Sequence, residues 1–173
     1  MPNIQSTINA HNKKILEDKV ELKRGPCNCS GENLINCPLP GECLTSNVLY
    51  EATISSNLRN YKDKIYKGIT GTTFKERHRN HKKSFNHEKY KNESELSKEV
   101  WNIKRRKGNP KIKWRIIKQY PSYNPLNDKC ELCRNEKLEI LKNKGSNMLN
   151  KRSEIVSYCK HKANFMLKVF DVT

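Results

Sequence analysis

The sequence predicts an α+β fold, a small three-stranded antiparallel sheet flanked by helices. Three observations predict it. Three segments alternate apolar and polar residues at the period of a strand. Other segments carry apolar residues at helical spacing, and one of them opens on a capping signal. Turn-forming residues separate these segments in the order β-β-α-α-β-α-α.

Residues 1–25 are polar, end in Lys23-Arg24-Gly25 and read as a flexible basic arm with at most one helix, near Lys13–Lys23. Residues 26–47 hold four cysteines, three prolines and two glycines, which predicts a loop-rich knot rather than helix or strand. The main domain is expected over residues 48–173. Asn47–Ser55 alternates, with Val48, Tyr50, Ala52 and Ile54 on one face and Leu49, Glu51 and Thr53 on the other. Asp63–Thr70 does the same, placing Lys67 on the opposite face from Tyr66. The polar link Ser55–Lys62 suits a hairpin. Thr73-Phe-Lys-Glu76 is a capping box that starts a helix running to about Asn86, with Phe74, His81 and Phe85 on one stripe. A second helix, Ser94–Arg106, turns Leu96, Val100, Trp101 and Ile103 inward and stops at Gly108-Asn109-Pro110. Lys111–Gln119 is the third strand, with Ile112, Trp114 and Ile116 opposite Lys111, Lys113 and Arg115. Glu131–Asn143 is a helix ended by Gly145, and Ser153–Lys162 a last short one.

Lys and Arg number 35 against 18 Asp and Glu, a formal charge of +17 on 173 residues. Such an excess points to a polyanionic partner, nucleic acid first, because neutralising phosphates releases counterions. No long apolar run suggests a membrane span, and Met1–Lys19 lacks the apolar stretch of a signal peptide. The expected place is inside the cell, in the nucleus if the Lys104–Lys107 run serves import. Seven cysteines in such a chain favour metal ligation over disulfides.

Several residues carry possible chemistry. Arg77 and His81, at i and i+4, leave one helix face together with Phe74 and Phe85, so the arginine looks inward and needs an anion. Glu136 sits between Leu132 and Ile140 on an apolar stripe, where a carboxylate must be paired or bound to metal. Tyr50 and Tyr66 lie on adjacent strands, and a phenol can act as a base where cations lower its pKa. Taken singly, each has an ordinary alternative: a surface ion pair for Arg77 or Glu136, core filling for the tyrosines.

In order, Val48-Leu49-Tyr50, Tyr66-Lys67-Gly68, Arg77-x-x-x-His81, Glu136 and Asn150 resemble the GIY-YIG endonuclease family. The resemblance is closest to the endonuclease domain of Penelope-like retroelements. It extends to Cys37-Pro-Leu-Pro-Gly-Glu-Cys43, Glu95-Leu-Ser-Lys-Glu-Val-Trp101, Ser122-Tyr-Asn-Pro125, Cys130-x-x-Cys133-x-x-Glu136 and Cys159-Lys-His161. It implies a GIY-YIG-like fold and a magnesium-dependent DNA endonuclease. Tyr50 would be the general base or the residue orienting the attacking water, Tyr66 would position water and phosphate, and Arg77 would stabilise the transition state. His81 would tune Tyr50 or take its proton, Glu136 would hold the single Mg²⁺, and Asn150 would brace the metal-site helix. The implied partners are target DNA, a reverse transcriptase domain and element RNA, with no membrane and no small-molecule substrate. The chain departs from the pattern in two places: Val48-Leu49 stands for the first Gly-Ile, and Lys67 for the second Ile. Lys67 is expected to meet DNA or solvent.

Cys130-x-x-Cys133 with Cys159-x-His161 offers four zinc ligands, and Cys27, Cys29, Cys37 and Cys43 offer four more. The upstream group has a rival pairing, in which Cys37 and Cys43 join two of His78, His81 and His87. Either Zn²⁺ would be structural and would staple loops that a lean core holds poorly. Lys104, Arg105, Arg106 and Lys107, with Lys111, Lys113 and Arg115, form the expected phosphate track. The main rival to a nuclease is a non-catalytic, zinc-stabilised nucleic-acid-binding module; a nuclease acting on RNA is a third reading.

Overall fold

The computed structural model describes residues 3–17, 27–123, 130–143, 145–151 and 159. The predicted helix at Ser153–Lys162 and the ligand His161 lie outside them. The described elements are helices α1 (Ile4–Glu17) and α2 (Glu32–Ile35), strands β1 (Ser46–Ser56) and β2 (Lys64–Thr73), helices α3 (Phe74–Asn86) and α4 (Glu95–Arg105), strand β3 (Pro110–Gln119) and helix α5 (Glu131–Lys142). The chain is α+β, as the sequence predicts. The first helix starts earlier than Lys13 because Asn3 caps it: the Asn3 carboxamide oxygen accepts from the Gln5 amide at 3.0 Å.

The sheet order is β2-β1-β3, both pairs antiparallel. As the central strand, β1 is covered on both faces, and Val48 through Ala52 are all buried. Its Tyr50 face packs with Phe74 of α3 and with Leu96, Val100 and Ile103 of α4. Its Leu49 face packs with Tyr120 and with Leu132 of α5. Burying each large apolar side chain contributes about 1.5–3 kcal/mol, so these two clusters dominate the stability.

Both long helices of the first layer start as their sequences predict. Thr73 Oγ1 accepts from the Glu76 amide at 3.3 Å, and the Ser94 side chain accepts from the Ser97 amide. The helices meet through buried serines, Ser84 Oγ and Ser97 Oγ lying 2.6 Å apart, while Trp101 Nε1 donates to the Ser84 carbonyl. The cysteine knot is fastened to the start of α3. The Phe74 amide donates to the Thr45 carbonyl at 2.9 Å and the Lys75 amide to the Cys43 carbonyl at 2.7 Å. Two amides that a helix N-terminus leaves unpaired are thereby satisfied.

After α5 the chain returns along the outer edge of β2. Ile65 and Met148 form a parallel bridge, with the Ile65 amide on the Asn147 carbonyl and the Leu149 amide on the Ile65 carbonyl, both at 2.8 Å. No helix among the described residues is long and apolar enough to cross a membrane.

Candidate active site and cysteine clusters

β1 and α3 bring three of the expected residues into direct contact. Tyr50 Oη lies 2.7 Å from His81 Nε2, and Arg77 Nε donates to Tyr50 Oη at 3.0 Å. An arginine N–H can only donate, so Tyr50 accepts that bond; toward His81 its hydroxyl donates where Nε2 is the bare nitrogen and accepts where Nε2 carries the proton. Tyr66 completes the group, its phenol oxygen close enough to Arg77 to favour the charged guanidinium. Phe74 and Trp114 pack edge-on and tilted against Tyr50, and Phe85 stacks on His81, which fixes both rings.

Tyr50 is directly opposite Gly68 in the sheet. A Cβ on residue 68 would sit 2.5 Å from Tyr50 Oη and 2.7 Å from its Cζ, so the glycine provides the space the Tyr50 ring occupies. The glycine next to Lys67 is thus explained by close approach, not by backbone conformation.

The electrostatics differ from the expectation that cations would lower Tyr50. Burial pushes Tyr50 upward and outweighs Arg77, while Glu136 raises it further. The hydroxyl is fully buried, and desolvation penalises the phenolate more than one guanidinium relieves it. Glu136 is thus near enough to act on Tyr50. Burial acts to lower Arg77, and the Tyr50 and Tyr66 oxygens more than offset it, so the cation persists. Among the described residues Arg77 forms no ion pair with a carboxylate.

Burial, then Arg77 and His78, lowers His81 to about 3. Its unfolded value is about 6.5, so the unfolded chain binds the extra proton first as pH falls. Stability from this group is complete above about pH 6.5 and is lost progressively toward pH 3. Thermal midpoints of wild type and His81→Gln, measured from pH 7 to pH 4, should converge as the pH falls. Parallel pH profiles would refute a buried neutral His81. His78, lowered by burial to about 4, leaves a residual slope in the variant.

Asn150 is held against β2. Its Oδ1 accepts from the Lys67 amide at 2.7 Å and its Nδ2 donates to the Lys67 carbonyl at 2.8 Å. It braces the strand between Tyr66 and Gly68, where the sequence reading expected it to brace the helix. Lys67 corrects a second expectation. It does not face DNA or solvent; it is 4% exposed, covered by α5, with its Nζ 2.9 Å from Glu139 Oε2.

Two cysteine clusters can each hold a zinc ion. The Sγ atoms of Cys27, Cys29, Cys37 and Cys43 all lie within 4.8 Å of one another. Individual separations are 3.4 Å for Cys27–Cys43, 3.8 Å for Cys29–Cys43 and 3.9 Å for Cys27–Cys37. Tetrahedral zinc with Zn–S of about 2.3 Å has sulfur edges of about 3.8 Å. The Cys29 amide donates to Cys27 Sγ, and Lys75 Nζ lies 3.2 Å from Cys29 Sγ, so cationic and amide donors already face the sulfurs. The rival pairing through histidines is not formed: His81 is on Tyr50, and His78 is stacked on Phe74. Cys130, Cys133 and Cys159 form the second cluster, with Cys133 and Cys159 sulfurs 3.5 Å apart. Cys130 is the N-cap of α5, so this cluster sits where the Glu136 helix begins.

The basic residues divide. Lys104–Lys107 are exposed at the end of α4, where Lys104 Nζ bonds the Phe85 carbonyl and Arg105 pairs with Glu88. Lys111, Lys113 and Arg115 are exposed on the sheet face opposite Tyr50, and Arg115 is paired with Glu51 at 2.7 Å. Sequence reasoning passed over Trp114, Lys75 and Glu139. Only the inward phase of Trp114 on its strand signalled one of them. Compared with known proteins, the chain matches no family model, no curated protein and no solved structure.

Proposed function

We propose that the chain is a GIY-YIG-type DNA endonuclease domain of a Penelope-like retroelement. It would nick target DNA in the nucleus and supply a 3′ hydroxyl that primes reverse transcription. The observation that carries this reading is the Arg77–Tyr50–His81 hydrogen-bonded set, joined by Tyr66 and lying within electrostatic reach of Glu136. Among the described residues Arg77 has two phenols beside it and no ion pair with a carboxylate, which suits a phosphate as its anionic partner. Tyr50 can take a proton from the attacking water while its own passes to His81 Nε2, given the His81 tautomer protonated on Nδ1. A phosphate on Arg77 would cancel the cation that, after burial, holds His81 low, and so make His81 a better acceptor.

The carboxylate that acts on Tyr50 is Glu136, and a hard cation such as Mg²⁺ takes one or two carboxylates together with water and phosphate oxygens. Magnesium held there would supply charge neutralisation at the leaving 3′ oxygen. The zinc ions would be structural, one on each cysteine cluster, with His161 completing the second.

Wild type in Mg²⁺ should convert supercoiled plasmid to the nicked form, and Glu136→Ala should shift DNA in a gel equally well while nicking at least ~100-fold more slowly. The second reading, a zinc-stabilised nucleic-acid-binding module without catalysis, is favoured by the complete burial of Tyr50. It prevails if both proteins shift DNA and neither nicks it.

A further inference from the structure

The proposed chemistry gives no task to Lys67 and Glu139, yet they form an ion pair in which the lysine side chain is only 5% exposed, the glutamate 27% exposed and also within reach of Lys142. An apolar residue under α5 would avoid desolvating an ammonium, and a buried pair of this kind adds little stability over an apolar one. Its placement is informative. Lys67 stands between Tyr66 and Gly68, and its backbone amide and carbonyl are both held by Asn150. Across the sheet it is opposite Glu51, which pairs with Arg115. The charges therefore alternate along one row: Glu139, Lys67, Glu51, Arg115. Glu139 is on the same helix as Glu136, three residues on, which puts the two carboxylates on neighbouring positions of α5.

Helix α5 also meets the sheet through Leu132, against Leu49 and Tyr120, and its first turn carries the Cys130–Cys133 cluster. Apolar contact is non-directional, and the cysteines hold the start of the helix, a turn before Glu136. A charge-assisted hydrogen bond is directional. We propose that the Lys67–Glu139 pair is a positioning device that fixes the rotation of α5 on β2 and so aims Glu136 at the Tyr50–Tyr66 site. It rests on the reading of Glu136 as the metal-holding carboxylate. The departure of Lys67 from the family motif and the carboxylate at position 139 are then one feature. The pair also keeps Glu139 engaged, so that a single carboxylate serves the metal.

The test is Mn²⁺ binding to the intact chain without DNA, followed by electron paramagnetic resonance, in wild type, Lys67→Met, Lys67→Arg, Glu139→Gln, the Lys67→Met/Glu139→Gln double variant and Glu136→Ala. Simple electrostatics moves the two single variants apart: removing the cation tightens Mn²⁺ and removing the anion weakens it. Positioning moves both the same way. The expected result is a loss of about fivefold or more in affinity for each single variant, a double variant no worse than either, and Lys67→Arg within about twofold of wild type. Tighter binding by Lys67→Met, unchanged binding, or single effects that multiply in the double variant would each overturn the proposal. Plasmid nicking by the same proteins separates the two failures. If wild type binds Mn²⁺ through Glu136 and nicks while Lys67→Met matches it, only the positioning role falls. If wild type shows no binding that Glu136→Ala removes, the metal site and the positioning role fall together.

Discussion

Tyr50→Phe should reduce nicking by about 10²–10⁴-fold, the range that a positioned acid or base contributes. The ring stays, so Phe74 and Trp114 keep their packing partner and the core is preserved. What is lost is one oxygen that accepts from Arg77 and hydrogen-bonds His81. Leaving those two nitrogens without that partner costs about 1–3 kcal/mol of stability, a modest and measurable fall in the thermal midpoint. Single-turnover nicking at saturating protein, with a melting curve for each protein, separates the two effects. Phenylalanine retaining activity within a few-fold of tyrosine would remove Tyr50 from the chemistry, because no other hydroxyl bridges Arg77 and His81 among the described residues. The Tyr50 environment sharpens this expectation: burial holds the phenol protonated, so it acts by passing a proton on, not as a standing phenolate.

Cys43→Ser should remove one zinc per chain, from two to one, and loosen the first turn of α3. Cys43 is the fully buried member of its cluster, with Cys27 and Cys29 sulfurs at 3.4 and 3.8 Å. Burial pushes its thiol up to about 12, so a thiolate there needs a cation to exist at neutral pH. Serine keeps the volume and offers a poor zinc ligand. Structural zinc contributes about 10–16 kcal/mol in small finger peptides, comparable with the ~5–15 kcal/mol stability of a whole domain. The thermal midpoint is expected to drop on the order of 10 °C. Nicking should fall too, because the carbonyl of Cys43 receives the Lys75 amide, two residues before Arg77. Elemental analysis of the purified proteins decides the matter. Two zinc ions in the variant, or none in the wild type, would rule out this cluster as a zinc site.

The strands, the cap at Thr73 and the helices at Ser94 and Glu131 were legible because each rests on local information: a two-residue period, a hydroxyl three residues from its amide, an apolar stripe. The convergence of Tyr50, Arg77 and His81 was legible in part, since i and i+4 fixed two of them on one face. Lys67 shows where local reasoning stops. Its strand phase was read correctly, but which sheet face is covered depends on where α5 lands some 70 residues later, and Glu139 meets it there. Tyr50 shows the same limit in its pKa direction, because desolvation depends on the whole enclosure and not on the nearest cation. The strand row of Lys111, Lys113 and Arg115 was correctly read as exposed, and its position on the face away from Tyr50 came only with the topology.

Asn150 does more than hold one strand. Its carboxamide gives the Lys67 backbone the same acceptor and donor that a neighbouring peptide would give. With the Ile65 bridge, it covers the first part of the β2 margin, at Ile65 and Lys67, against pairing with a second molecule. The opposite margin is β3, which begins with a proline and carries Lys111, Lys113, Arg115 and Lys118 toward solvent. Proline and repeated lysines are what discourage strand-to-strand self-association. The same cations that suit a nucleic acid therefore also keep copies of this chain from adding to one another's sheets, and that protection weakens wherever a polyanion neutralises them.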